Sequence, residues 1–93
     1  MNNKKLKLAR SRIDKLDKSI FNLIEKRTKI VDHMLTLKKF KNQIVDHQRI
    51  KVILKNIRKK SISRKIDPLI AVKIWKSIIW SYVHYQRKNF KKK

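Results

Sequence analysis

The sequence has 93 residues with no cysteine, no glycine and one proline, and its 28 lysine and arginine residues against six acidic residues give a net charge of +22. A chain of this length forms one small domain, here residues 1–93, and the lack of cysteine excludes disulfides and thiolate chemistry. The scarcity of turn-forming residues favours an all-helical protein. Because no apolar run approaches the ~20 residues that span a bilayer, we expect a cytoplasmic protein without a membrane partner.

The large positive charge implies anionic partners, and nucleic acid is the obvious candidate. Lysines and arginines are, however, spread evenly along the sequence, whereas a nucleic-acid-binding module usually concentrates its charge on one face and carries a recognisable motif. We therefore expect no nucleic-acid partner and keep a basic helical nucleic-acid-binding protein as an alternative function.

Residues 4–41 predict one long first helix, because their apolar side chains recur every three or four residues and no proline or glycine interrupts them. At ~1.5 Å per residue, this helix has a length on the order of 55 Å, which one small chain cannot cover. We therefore expect a homodimer. The apolar positions are Leu6, Ala9, Ile13, Leu16, Ile20, Leu23, Ile24, Ile30, Val31, Met34 and Leu37.

Cationic side chains interrupt the apolar stripe of this first helix. Arg27 stands where a leucine is expected, and Lys38 follows eleven residues later, which places both on one helical face. Arg10 also borders the stripe but lies roughly 100° around the helix axis from Arg27, so it points towards a different site. Cations buried among aliphatic side chains cost several kcal/mol each unless anions meet them, and this pattern predicts a site for an anionic ligand.

The second helix is predicted to begin after Asp46, which is a suitable N-cap, and to end at about Lys59. It follows a short connection with the sequence KNQIV. Val45 and Ile50 stand at the positions of a hydrophobic staple around this cap. Arg49 lies one turn before the apolar Ile53 and therefore adds a fourth inward-facing cation.

Residues 60–66 are predicted to form the second connection, and Asp67 and Pro68 then mark the start of a third helix. Proline suits the first helical position because its missing N–H has no partner there in any case. Gln86 lies on the apolar side of this helix, where a buried amide needs hydrogen-bond partners. The helix is expected to give way to a basic tail at about residues 87–93.

The sequence contains little that could support metal, acid–base or nucleophilic catalysis. The three histidines have no metal-ligand spacing, and the acidic residues are explained as caps and surface pairs. We therefore expect no metal and no cofactor. The remaining inward-facing donors suit a small, multiply anionic ligand that is positioned and stabilised electrostatically. These donors are Arg10, Arg27, Lys38, Arg49 and Gln86.

The order and spacing of these residues resemble the all-helical chorismate mutase family over nearly all of residues 6–90. The resemblance implies an intertwined homodimer of three-helix chains in which the long first helices pair and each chain completes the other's active site. The implied reaction is the rearrangement of chorismate, a small dianion, to prephenate. The motifs are Arg10-x-x-Ile13-x-x-x-Asp17, Arg27, Lys38, Asp46-x-x-Arg49, Asp67-Pro68 and Ile78-Ile79 followed by Gln86.

The resemblance also assigns roles to individual residues. Arg27 and the partner chain's Arg10 would hold the substrate carboxylates, while Lys38 and Gln86 would donate hydrogen bonds to the ether oxygen. Arg49 would support the site electrostatically. Asp46 would order the neighbouring loop.

Two residues depart from the usual pattern of the family. Ile50 occupies a position where the family usually has a glutamate that contacts the substrate hydroxyl, and Tyr82 stands where mutases often carry a serine. Both changes resemble the isochorismate-pyruvate lyases, which form salicylate, and Tyr82 could contact the ligand. The connection between Lys38 and Arg49 is also about one residue shorter than is usual in the family. An isochorismate-pyruvate lyase is therefore the second expected function.

Overall fold

The protein is all-helical in a computed structural model that describes residues 2–91. This finding confirms the all-helical part of the predicted fold class, and residues 2–91 contain no β-strand. The intertwined homodimer stays a prediction. Lys92 and Lys93 of the predicted basic tail lie outside the described residues. The elements are α1 (Asn2–Leu37), a short 3₁₀ helix (Lys41–Gln43), α2 (His47–Ser63) and α3 (Pro68–Asn89).

The chain divides into two compact units, Met1–His33 and Met34–Lys93, with the boundary inside α1. Within the first unit, Val31 is buried, but most of the predicted apolar stripe is open to solvent. Leu16 and Leu23 are each 62% exposed and Ile20 is 56% exposed. Most of the apolar stripe of α1 is therefore exposed, and a surface of this kind is energetically costly in water.

The second unit is held together by packing of α2 against α3. Its apolar core consists of Ile44 from the loop before α2 and of Ile79 and Val83 from α3, all of which are buried. The half-buried residues of α2, including Ile53 and Ile57, recur every three or four positions as a helix face requires. Loop, α2 and α3 therefore share one apolar core.

The helix α1 ends earlier than the sequence predicted. The expected end was about Lys41, whereas the helix stops at Leu37, and Lys38 lies in the irregular segment that follows. The predicted helix end was therefore wrong, and the shared face of Arg27 and Lys38, which assumed a helix at both positions, stays a prediction.

The helix α2 is longer than predicted and continues past Lys59 to Ser63. Its end is a Schellman motif, in which the Ile66 N–H donates to the Ser61 carbonyl oxygen (2.9 Å) and the Lys65 N–H donates to the Ile62 carbonyl oxygen (3.3 Å). Lys65 adopts a left-handed conformation with φ 58°, a position that usually takes glycine. The predicted connection at 60–66 therefore begins only after Ser63.

The start of α3 agrees with the sequence prediction. The Asp67 carboxylate accepts a hydrogen bond from the Leu69 N–H (2.9 Å), and Pro68 occupies the first helical turn. The predicted tail began at Arg87, but the helix includes this residue and ends at Asn89. Residues 2–91 include no helix that could span a bilayer.

Candidate active site

Lys38 and Gln86, which are 48 residues apart in sequence, meet in the second unit. The Lys38 ammonium donates a hydrogen bond to Gln86 Oε1 over 2.6 Å. Gln86 is only 7% exposed, and Lys38 is half-buried. A hydrogen bond that involves a charged group is roughly twice as strong as one between neutral groups, so this contact fixes the tip of Lys38 against α3.

The Gln86 amide is oriented by a second hydrogen bond within α3. Its Nε2 donates to the Tyr82 carbonyl oxygen over 3.2 Å, which turns Oε1 towards Lys38. One amide N–H and two ammonium N–H groups then remain, and no hydrogen bond within residues 2–91 uses them. Both side chains therefore keep N–H groups that a ligand could accept from.

The charge on Lys38 is set by two opposing influences. Burial lowers the pKa of the Lys38 ammonium from its ordinary value of 10.5, because desolvation disfavours the charged form. The carboxylate of Asp46 opposes this effect by favouring the cation. The net shift is downward. Asp46 therefore helps to keep Lys38 protonated in a partly desolvated place.

Asp46 has a structural role that agrees with the predicted cap. One of its carboxylate oxygens accepts a hydrogen bond from the Arg49 N–H over 3.0 Å and so closes the first turn of α2. The side chain of Arg49 is exposed, contrary to the inward orientation predicted from its position one turn before Ile53. Ile50 is half-buried, as expected for a residue of a hydrophobic staple.

A pocket of about 460 Å³ lies beside Lys38 and Asp46. A pocket of 300–1,000 Å³ is typical for a small ligand. The sequence predicted Lys38 and Asp46 as site residues but not the loop residues of this wall, because the segment 41–45 carries no pattern beyond that of a polar connection. The other lining residues are Asn42, Gln43, Val45, His47 and Gln48.

The remaining residues predicted for the site lie on α1 and α3. Arg10 is exposed on α1, whereas Arg27 is half-buried and its Nη1 atom is shielded from solvent. Tyr82 is half-buried on α3, and its ring meets that of Tyr85 edge to face with centroids 6.2 Å apart. The structure thus brings Lys38, Gln86 and Asp46 into one neighbourhood, and the ligand contacts of Arg10, Arg27 and Tyr82 stay predictions.

The chemistry available to this neighbourhood is hydrogen-bond donation by a cation and an amide. No group of three or more histidine, aspartate or glutamate side chains within the described part of the chain could hold a metal ion. A partly desolvated ammonium beside an oriented amide is suited to stabilising negative charge on an oxygen atom.

Comparison with known proteins identifies the family. The model of the family "Chorismate mutase type II" matches residues 9–87 of this chain. No curated protein and no solved structure gives a significant match. The match covers most of the chain, and we conclude that this protein belongs to the type II chorismate mutase family. Membership in this family supports chorismate mutase activity, which is an isomerisation.

Proposed function

We propose that this protein rearranges chorismate to prephenate and that Lys38 and Gln86 are its catalytic residues. The hydrogen bond from the Lys38 ammonium to Gln86 Oε1 supports this proposal, because it brings the two side chains together, and Lys38 also lines a pocket. The proposed activity belongs to aromatic amino-acid biosynthesis in the cytoplasm.

The chemistry of the reaction explains why so few groups are needed. The rearrangement is intramolecular and concerted, so the protein needs no nucleophile and no acid–base pair. In the transition state, the breaking C–O bond leaves negative charge on the ether oxygen. Donors that meet this oxygen bind the transition state more tightly than the substrate and therefore raise kcat. The free N–H groups of Lys38 and Gln86 are suited to this task.

The two carboxylates of the substrate require further cations. We assign these contacts to Arg27 and to Arg10 of a second chain, because a guanidinium can bind a carboxylate through two parallel hydrogen bonds. Arg49 adds positive potential near the start of α2. Asp46 orders the loop and sustains the charge on Lys38, and Tyr82 contacts the bound ligand.

The proposed assembly is a homodimer in which two α1 helices cover each other. The exposed apolar stripe of α1 supports this assembly, because a large exposed apolar patch often marks a protein–protein interface. Ile20→Asp should place a charge in the interface and shift the protein towards monomer in sedimentation experiments. Ile62→Asp is the matched control, since Ile62 is similarly exposed, at 60%, but lies on α2. Equal effects of both substitutions would contradict the role of α1.

The first test is to incubate the purified protein with chorismate and to identify the product. Lys38→Met should lower kcat by about 10²–10³-fold, which is the usual effect of removing one donor to a developing oxyanion. Arg12→Ala is a control for the arginine variants, because Arg12 is exposed on the same helix as Arg27. Arg27→Ala should abolish turnover while Arg12→Ala retains it. Absence of prephenate with the unmodified protein would refute the proposal.

Assays on the same purified protein distinguish the two alternative functions from the proposed one. The family match gives no support to an isochorismate-pyruvate lyase. Release of salicylate from isochorismate would be the evidence for that activity. A nucleic-acid-binding function predicts tight binding with a steep dependence on salt. Arg27→Ala should leave any such binding nearly unchanged, because one cation among 28 contributes little to a binding term based on total charge.

A further inference from the structure

The loop that follows Lys38 is organised by the side chain of Gln43. The Oε1 atom of Gln43 accepts hydrogen bonds from the N–H groups of both Lys39 (2.7 Å) and Phe40 (2.8 Å). The Gln43 N–H in turn donates to the Phe40 carbonyl oxygen over 3.0 Å. One side chain therefore closes a ring that begins at the residue next to Lys38.

This ring is anchored at its far end. Ile44 follows Gln43 directly, is 5% exposed and belongs to the apolar core of the second unit. The Ile44 N–H also donates to the Lys41 carbonyl oxygen (3.2 Å), which completes the 3₁₀ turn. The backbone after Lys38 lies outside α1, but Gln43 links it to the buried residue Ile44.

We propose that Gln43 is a positioning residue that holds the backbone after Lys38 so that the Lys38 ammonium stays on Gln86. This inference rests on the proposed function, in which Lys38 and Gln86 act together on the substrate. Gln43 also lines the pocket that contains Lys38 and Asp46. Its amide oxygen is already used by two backbone N–H groups, so Gln43 acts through Lys38.

The effect of losing this acceptor follows from the geometry of the loop. In Gln43→Leu, the N–H groups of Lys39 and Phe40 lose their acceptor, and the segment from Lys38 to Gln43 can move relative to α3. A displacement of ~1 Å at a catalytic group can lower the rate by as much as 10²-fold. We expect kcat to fall about tenfold with KM nearly unchanged, because the ether oxygen acquires its charge only in the transition state.

Gln43→Glu distinguishes positioning from simple stabilisation. A carboxylate oxygen can accept from both backbone N–H groups, so kcat should return to within about twofold of the unmodified protein. The added negative charge faces a pocket for a dianion and should raise KM. Asn56→Leu is the matched control for replacing an amide by leucine on an exposed surface, and it should leave both constants unchanged.

Hydrogen exchange provides a test that does not depend on turnover. In Gln43→Leu, the backbone amides of Lys39 and Phe40 should exchange roughly tenfold faster, and in Gln43→Glu they should stay protected. The inference is overturned if those amides are unaffected, if kcat in Gln43→Leu stays within about twofold, or if Gln43→Glu loses as much kcat as Gln43→Leu. An unmodified protein that fails to convert chorismate would refute the proposed function and overturn the catalytic part of this inference. Exchange would then still decide whether Gln43 organises the loop.

Discussion

The hydrogen bond between Lys38 and Gln86 can be measured through a double-mutant cycle with Lys38→Met and Gln86→Leu. A hydrogen bond to a charged group contributes about 1.5–3 kcal/mol, and a buried group left without its partner costs about 1–3 kcal/mol. Lys38→Met leaves Gln86 Oε1 without its donor, and Gln86→Leu leaves the Lys38 ammonium without its acceptor. The double variant replaces both partners by apolar side chains of similar shape, which is nearly neutral for that pair.

The expected result is strong non-additivity. Gln86→Leu also loses the bond to the Tyr82 carbonyl oxygen, which contributes about 0.5–1.5 kcal/mol, but this loss occurs in both variants that carry the substitution and cancels in the cycle. The two single losses should therefore exceed the loss in the double variant by roughly 1.5–3 kcal/mol. For a chain of this size, 1 kcal/mol corresponds to a change of about 4–8 °C in Tm.

The assay is urea unfolding at pH 7, followed by circular dichroism, with all variants at one protein concentration because assembly would contribute to stability. Gln48→Leu is the stability control, since this exposed glutamine makes no side-chain hydrogen bond within residues 2–91. Losses that add within about 0.5 kcal/mol would refute the argument, because they would show that Lys38 and Gln86 are not energetically coupled.

Three further predictions concern charge, caps and backbone strain. Since burial lowers the pKa of Lys38 below 10.5, kcat/KM should fall as the pH rises through that lowered pKa, and Lys38→Arg should move the fall to higher pH. Asp46→Ala and Asp67→Ala should each cost about 1 kcal/mol of unfolding free energy as lost caps, but only Asp46→Ala should move this alkaline fall to lower pH. Equal pH profiles for the two cap variants would contradict the influence of Asp46 on Lys38. Lys65→Gly should stabilise the protein by roughly 0.5–1 kcal/mol in urea unfolding, because it relieves a left-handed conformation at φ 58°, whereas Arg64→Gly, at φ −101°, should destabilise it.

The helix starts were predictable because local chemistry determines them. Asp46 and Asp67 cap helices by accepting hydrogen bonds from N–H groups two or three residues later, and Pro68 adds a second local signal. Such signals are contained in a few adjacent residues. The three-helix pattern and both of these starts therefore follow from the sequence.

The helix ends were not predictable, because the interactions that form them carry no local signal. In α2, Ser61 belongs to the segment that was predicted to be a connection, but it lies within the helix. It is buried, and its hydroxyl donates to the Ile57 carbonyl oxygen over 2.6 Å. The motif that ends this helix uses Lys65 where glycine is usual. In α1, the helix stops at Leu37 although no proline or glycine follows it.

The candidate site was predictable in its residue types more than in its geometry. Periodicity placed Gln86 on the buried side of α3, and the structure agrees. Periodicity also predicted Lys38 within α1, whereas this helix ends at Leu37. The resemblance to a family was needed to associate Lys38 with Gln86. The hydrogen bonds of Gln43 could not be predicted, since the sequence of a polar loop does not show which backbone N–H groups a glutamine side chain will accept from.

The open stripe of α1 has a consequence for how the chain is made. Val31 is the buried residue of this 36-residue helix, and most helical stability in proteins comes from tertiary packing of one face. In the proposed homodimer, α1 of a newly synthesised chain would therefore gain most of its stability only when a second chain packs against it. Folding of that homodimer would be second order in chain concentration, and the amount of folded protein should rise more steeply than the amount of polypeptide.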